Sequence, residues 1–278
     1  MKYLALLPLL FALIVPAQAD FYEGLAAYKR GDHATALKLW RSLAIQGNAS
    51  AQYDLALVYL SGEELERDPV KASYWLRKSA EQKLPRAQAM LGTLYEQGEG
   101  VAQNYLVAAG LYHKASQEGD PLGQYRLGML YKDGKGVVKD LSQAVLWLRH
   151  ASERGLAPAQ HNLGIMYYRG LGVPRRYKEA LKWHSRAAEQ GDVDSIITLG
   201  LMHFKGEGVD KDFKEAYSWW STAVAAGDEQ SLSAREAVAA MLSESDLAEA
   251  KRISEIKRKR IFPDHPIVNF PLSLWLPI

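Results

Sequence analysis

The chain has 278 residues, 34 Lys and Arg against 32 Asp and Glu, a formal net charge of +2, and no cysteine. Without thiols there is no disulfide framework, no thiolate metal site and no lipidated cysteine. The near-neutral sum gives no case for nucleic acid as a partner, which calls for a basic face along a whole domain.

In chain order, "MKYLALLPLLFALIVPAQAD" comes first. Lys2, an apolar stretch to Val15, Pro16 and the small residues Ala17 and Ala19 predict a secretory signal peptide over 1–19, cleaved after Ala19. Its apolar run is shorter than the roughly 20 residues that span a bilayer. The expectation is therefore a periplasmic or secreted protein without stable membrane insertion after cleavage. Residues 20–50, which include "YEGLAAYKRGDHATALKLWRSLAIQGNA", predict an N-terminal helical hairpin.

Next, "LYKDGKGVVKD" at 130–140 has the look of a phosphate-cradling loop, but it recurs. Gly62, Gly98, Gly134, Gly170 and Gly206 are separated by steps of 36, which signals a stacked repeat. Lys135 becomes Glu99, Leu171 and Glu207 in other copies, and none has the G-x-x-x-x-G-K-[ST] spacing of a nucleotide loop. Copies beginning at Ala51, Ala87, Gly123, Ala159 and Ser195 share A-x-x-x-L-G-x-x-Y-x-x-G, one stripe of a first helix. A second helix follows, with Ala72, Ala108, Ala144, Ala180 and Ala216 three residues before Trp75, Leu111, Trp147, Trp183 and Trp219. Gly92, Gly128, Gly164 and Gly200 lie inside the first helix, where glycine costs about 1 kcal/mol against alanine, so close approach of the second helix at its alanine is expected. The loop glycines predict a left-handed exit from that helix. Asp68, Asn104, Asp140 and Asp212 predict N-caps, with Glu215 completing a capping box on Asp212; Arg176 breaks the pattern.

Five copies fill 51–230, and 231–260 predict C-terminal capping helices, with a capping box at Asp246 and Glu249 and an apolar face of Leu247, Ala250, Ile253 and Ile256. The segment 251–260 is basic. Residues 261–278 form an apolar tail interrupted by prolines at 263, 266, 271 and 277, expected to lie extended, either sealing the last helices or occupying a groove.

The 36-residue unit, A-x-x-x-L-G-x-x-Y-x-x-G-x-G-V followed by D-x-x-x-A-x-x-W-x-x-x-A-A-x-x-G, resembles the Sel-one-like repeat family, relatives of the tetratricopeptide repeat. The resemblance implies an all-α, right-handed solenoid of antiparallel helical hairpins that binds protein. Glu64 replaces the second loop glycine of the first copy and Lys83 its inter-repeat glycine, which marks the first junction as irregular.

First-helix positions that vary between copies while facing away from the packing stripe are Tyr53, Asp54, Tyr125, Arg126, Lys132, His161, Asn162, Tyr168, Arg169, Phe204 and Lys205. Aromatics interleaved with arginine suit a protein or peptide groove on the concave face, and a plain solvated surface is the alternative. Catalysis has little support: Ser254 and Lys257 form S-x-x-K without K-T-G or S-D-N, and no two histidines have the i, i+4 spacing of a metal pair. No cofactor and no metal are expected, and the reading is an exported, non-enzymatic scaffold or adaptor. A restraint on a membrane sensor kinase and a cell-wall or lactam hydrolase are the rivals.

Overall fold

A computed structural model describes residues 20–263. Residues 1–19, where a signal peptide is expected, and those beyond Pro263, which hold most of the expected tail, lie outside the described residues. Among those described there are fourteen helices and no strand. They divide after Gly123 into two compact units.

The first unit holds α1 (20–29), α2 (His33–Ile45), α3 (Ala49–Ser61), α4 (Pro69–Glu81), α5 (Pro85–Gln97) and α6 (Tyr105–Gln117). The division falls inside α7 (Pro121–Asp133). The second unit continues with α8 (Leu141–Glu153), α9 (Ala157–Arg169), α10 (Tyr177–Ala188), α11 (Val193–Lys205), α12 (Phe213–Ala225), α13 (Ser231–Ala239) and α14 (Glu244–Ile261). From α3 to α12 a 13-residue first helix, a glycine loop, a second helix and a tight turn recur, only α10 being shorter at 12 residues.

Sequence chemistry sets these boundaries. Gly62, Gly98, Gly170 and Gly206 end their helices at φ 70–76°, where a side chain is disfavoured. The second loop glycine has a different task. A Cβ on Gly100 would lie 2.1 Å from the Pro69 carbonyl oxygen, and one on Gly172 2.3 Å from that of Leu141. Each loop thus rests on the start of the second helix one copy earlier. In the first copy Glu64 takes this place, and its carboxylate meets His33 Nδ1 at 2.8 Å at the start of α2. Lys83 keeps the geometry of the glycine it replaces, at φ 65°.

Asp68, Asn104, Asp140 and Asp212 accept backbone N–H bonds at the starts of α4, α6, α8 and α12. At Arg176 no side chain caps α10, yet the helix forms because its apolar stripe is buried. Two capping boxes differ from expectation. Asp212 caps α12, but the Glu215 carboxylate turns to Lys257 Nζ at 2.5 Å. Ser243 caps α14, pairing with Asp246, while Glu249 binds Lys214.

The helix-internal glycines face large side chains and not the alanines. A Cβ on Gly92 would sit 2.7 Å from the Tyr112 ring, on Gly164 2.7 Å from His184 Nε2, and on Gly200 2.5 Å from Trp220 Nε1. These partners lie four residues beyond Ala108, Ala180 and Ala216. Gly128 is the partial exception: the Ala144 carbonyl at 3.2 Å accompanies Leu148 at 3.0 Å. Gly24 repeats the arrangement with Trp40 in the N-terminal hairpin.

Buried polar groups join successive hairpins. Gln52, Gln88 and Gln160 donate to the carbonyls of Ala44, Ala80 and Ser152, in the last turn of the preceding second helix. Each of those carbonyls also accepts a backbone N–H from the turn that follows, that of Gly47, Lys83 or Gly155, so the glutamine fills its second acceptor site. Arg77 donates to the Tyr95 hydroxyl in the first unit, and Arg149 to that of Tyr167 in the second.

At the end of the second unit, α14 packs along α12 through Ala250, Lys257 and Ile261, while Ile256 is exposed. Lys257 replaces the expected isoleucine on that face. Its ammonium binds Glu215 and Ser218 Oγ and lies 4.6 Å from the centre of the Trp219 ring.

Candidate functional site

Side chains of α7, α9 and α11 form one half-exposed face on the second unit. Positions three and four residues apart share a helix face. On α7 these are Tyr125, Arg126, Met129 and Asp133, on α9 His161, Asn162, Ile165 and Arg169, and on α11 Ile197, Thr198, Leu201 and Lys205. Met129, Ile165 and Leu201 make a row of partly exposed apolar side chains between more polar ones. The repeat register placed this row one turn from the candidates chosen by variability, and its apolar character disguised it as core.

The candidates divide into three groups. Tyr125, Arg126, His161 and Asn162 lie half-exposed on the face, and Arg169 and Lys205 are exposed at its end. The Arg126 guanidinium lies 5.7 Å from the Tyr125 ring centre, and the Asn162 amide donates to the Pro158 carbonyl. Lys132, Tyr168 and Phe204 share the adjoining position on their three helices. Lys132 lies 4.0 Å from Asp133. Tyr168 stacks edge-on with Tyr177 and donates to Glu207 at 2.6 Å, and burial together with that bond pushes its hydroxyl up to about 12. Phe204 packs on Phe213 and Trp220. These two aromatics close their own hairpins, so the variability that singled them out reflects alternative packing pairs.

Tyr53 and Asp54 correct the expectation of an open face in the first unit. Tyr53 is 3 % exposed, in the core with Leu91 and Leu94, with the Arg86 guanidinium 4.8 Å from its ring centre. Asp54 is 8 % exposed, and burial pushes its carboxyl up to about 7 against the opposing pull of Arg86. Among the described residues that carboxyl has no hydrogen-bond partner.

Beneath the α9–α11 edge of the face is a cluster that sequence spacing did not reveal. His161 Nδ1 lies 3.2 Å from Asp192 Oδ1 and 2.9 Å from Ser195 Oγ, and His184 Nδ1 lies 3.1 Å from the same hydroxyl. Burial and the neighbouring His161 bring His184 down to about 4, so it is neutral. Burial raises Asp192, but bonds from His161 and Ser195 outweigh it and its carboxyl is held below the usual range. The Asp192 carboxylate accepts the Ser195 backbone N–H at 2.8 Å and the His161 Nδ1–H. His184 Nε2, packed against Gly164, is buried without a hydrogen-bond partner among the described residues.

The cluster has Ser, His and Asp but not the layout of a nucleophilic triad, which sets carboxylate and hydroxyl on opposite ring nitrogens. Here both meet Nδ1, and Ser195 is fully buried. The S-x-x-K pair is likewise divided: Ser254 donates to the Lys251 carbonyl while Lys257 turns to Glu215 and Ser218. Among the described residues no group of three His, Asp or Glu is placed to hold a metal.

A Sel1 repeat family model matches six segments: 21–48, 49–84, 85–120, 121–156, 157–192 and 194–228. The chain belongs to the Sel1 repeat family. Its fold is an all-α solenoid type built from helical hairpins with a 36-residue repeat. Among solved structures it is similar to a protective antigen of uropathogenic Escherichia coli strains displaying an SLR fold, with 29% identity over 87% of this chain and a TM-score of 0.75. This chain spans 54% of that protein, about half its length. It is also similar to a Sel1 repeat protein from Oxalobacter formigenes, with 28% identity over 86% of this chain and 99% of the other, and a TM-score of 0.73. No curated protein matches.

Proposed function

We propose that this Sel1 repeat protein is an exported, non-enzymatic scaffold or adaptor that holds a protein or peptide partner on the α7–α9–α11 face. The observation that carries the reading is the row of Met129, Ile165 and Leu201, partly exposed and bordered by Arg126, Asn162, Arg169 and Lys205. An apolar strip with a polar rim is the anatomy of a protein interface. Arginines beside it supply side chains common at binding hot spots.

Export to the periplasm rests on the leader-like sequence of 1–19. Among the described residues no helix is long and apolar enough to cross a membrane. Restraint of a membrane sensor kinase is one use of such a scaffold. The hydrolase reading loses its one sequence anchor, because Ser254 and Lys257 turn to different partners, and the Ser195 cluster lacks the connections for attack on a carbonyl.

The test is affinity capture with the full chain from a periplasmic extract, alongside incubation with cell-wall and β-lactam substrates. A stoichiometric protein partner whose capture falls with Ile165→Glu/Arg169→Glu supports the scaffold. Catalytic turnover, or capture indifferent to that variant, contradicts it.

A further inference from the structure

Two places offer apolar surface to the tail: the terminal helices, where Leu232, Met241 and Ile256 are exposed as separate side chains, and the α7–α9–α11 face. Between the last hairpin and α14 the seam is already closed. Ala250 and Ile261 are buried at 0% and 7% exposure, and Ile261 and Phe262 pack with Ala188, Ile196, Leu199 and Trp219.

The same packing fixes where the chain leaves. Phe262 lies against Gly191, where a Cβ would be 3.2 Å from its ring. Gly191 stands two residues before α11, and its neighbour Asp192 is tied to His161 of α9. Ile197, packed on the same cluster as Phe262, shares a repeat position with Tyr125 and His161. The described chain therefore ends beside the turn that leads into α11, one of the three helices of the candidate face.

We propose that residues 264–278 dock as an extended segment across the α7–α9–α11 face, and that the external partner is an apolar, proline-interrupted extended segment competing for the same place. This rests on the reading of that face as the binding site. Length permits it: 15 residues extend about 50 Å, whereas three helices side by side, about 10 Å apart, span roughly 30 Å. Composition favours it. Pro266, Pro271 and Pro277 oppose a helix, and Ile267, Val268, Phe270, Leu272, Leu274 and Trp275 offer side chains for the Met129, Ile165 and Leu201 row.

The experiment places a benzophenone photo-crosslinking amino acid at Trp275 in the full chain, at a concentration where the protein is monomeric. Products are mapped by mass spectrometry. Crosslinks within one chain to residues of 162–169 and 197–205, lowered several-fold by Ile165→Glu/Arg169→Glu and unchanged by Ile256→Glu, are expected. Crosslinks confined to other surfaces or to a second chain, or none, overturn the proposal. Failure here leaves the scaffold reading intact if the double variant still loses external partner. Conversely, crosslinks on the face with partner capture indifferent to the variant keep the docked tail and remove the face as the partner's site.

Discussion

Gly164 on α9 faces the His184 ring on α10 so closely that a single added methyl group would lie 2.7 Å from Nε2. Gly200 and Trp220 repeat the relation, and in the first copy Ala56 and Leu76 are buried at the corresponding places. The pairing is a size exchange between two helices, so Gly164→Ala alone is expected to lower stability by about 1–3 kcal/mol through overpacking. Combining it with His184→Leu, which copies the Ala56–Leu76 pair, is expected to restore part of that loss. Melting of the two singles and the double completes the cycle, and strict additivity would show that the residues do not share space.

Lys83 holds a left-handed conformation at φ 65° where the other inter-repeat turns have Gly119, Gly155, Gly191 and Gly227. An L-residue there carries roughly 1–2 kcal/mol of steric cost. Lys83→Gly is expected to raise the melting temperature, offset in part by the freer unfolded chain. An unchanged or lower value would contradict the turn geometry.

His184 is held neutral in the fold at about 4, below its unfolded value of about 6.5. The unfolded chain therefore binds more protons between these values, and His184 supplies stability above pH 6.5 that is lost as pH falls toward 4. In His184→Leu the decline in melting temperature over that window is expected to be shallower. An identical decline would place the acid sensitivity elsewhere.

Asp54 has the opposite sign. Its folded carboxyl, raised to about 7, prefers the proton more than the unfolded one does, so its relative stabilisation is full below about pH 3.8 and is lost as pH rises through 7. Asp54→Asn is expected to raise stability at pH 8 and to have little effect near pH 4. A variant less stable at pH 8 would mean that the carboxylate has a favourable partner.

The repeat, the hairpins and the left-handed loop exits were legible because glycine and cap residues report local backbone geometry that any neighbour must accept. What the glycines face was not, since Gly164 against His184 depends on how two helices interlock. The second loop glycine serves a contact one copy earlier in sequence, invisible to a reading confined to one loop. On the candidate face, Arg126, His161, Asn162, Arg169 and Lys205 stood out by variation, whereas Ile165 and Leu201 resembled core. Tyr53 and Asp54 occupy the same register as Tyr125 and Arg126, yet both are buried, Tyr53 beside Leu91, Leu94 and Arg86, so register alone misplaced them. Ser195 meets His161 and His184 from 34 and 11 residues away, a gathering that no local spacing announces.

The central claim is that a protein partner is held on the face of α7, α9 and α11. The most direct measurement is the affinity of the captured partner for the full chain and for the Ile165→Glu/Arg169→Glu variant, each first shown to have the same helicity and melting. The account predicts at least a tenfold weakening, equivalent to about 1.4 kcal/mol. Equal affinity in a folded variant would contradict it.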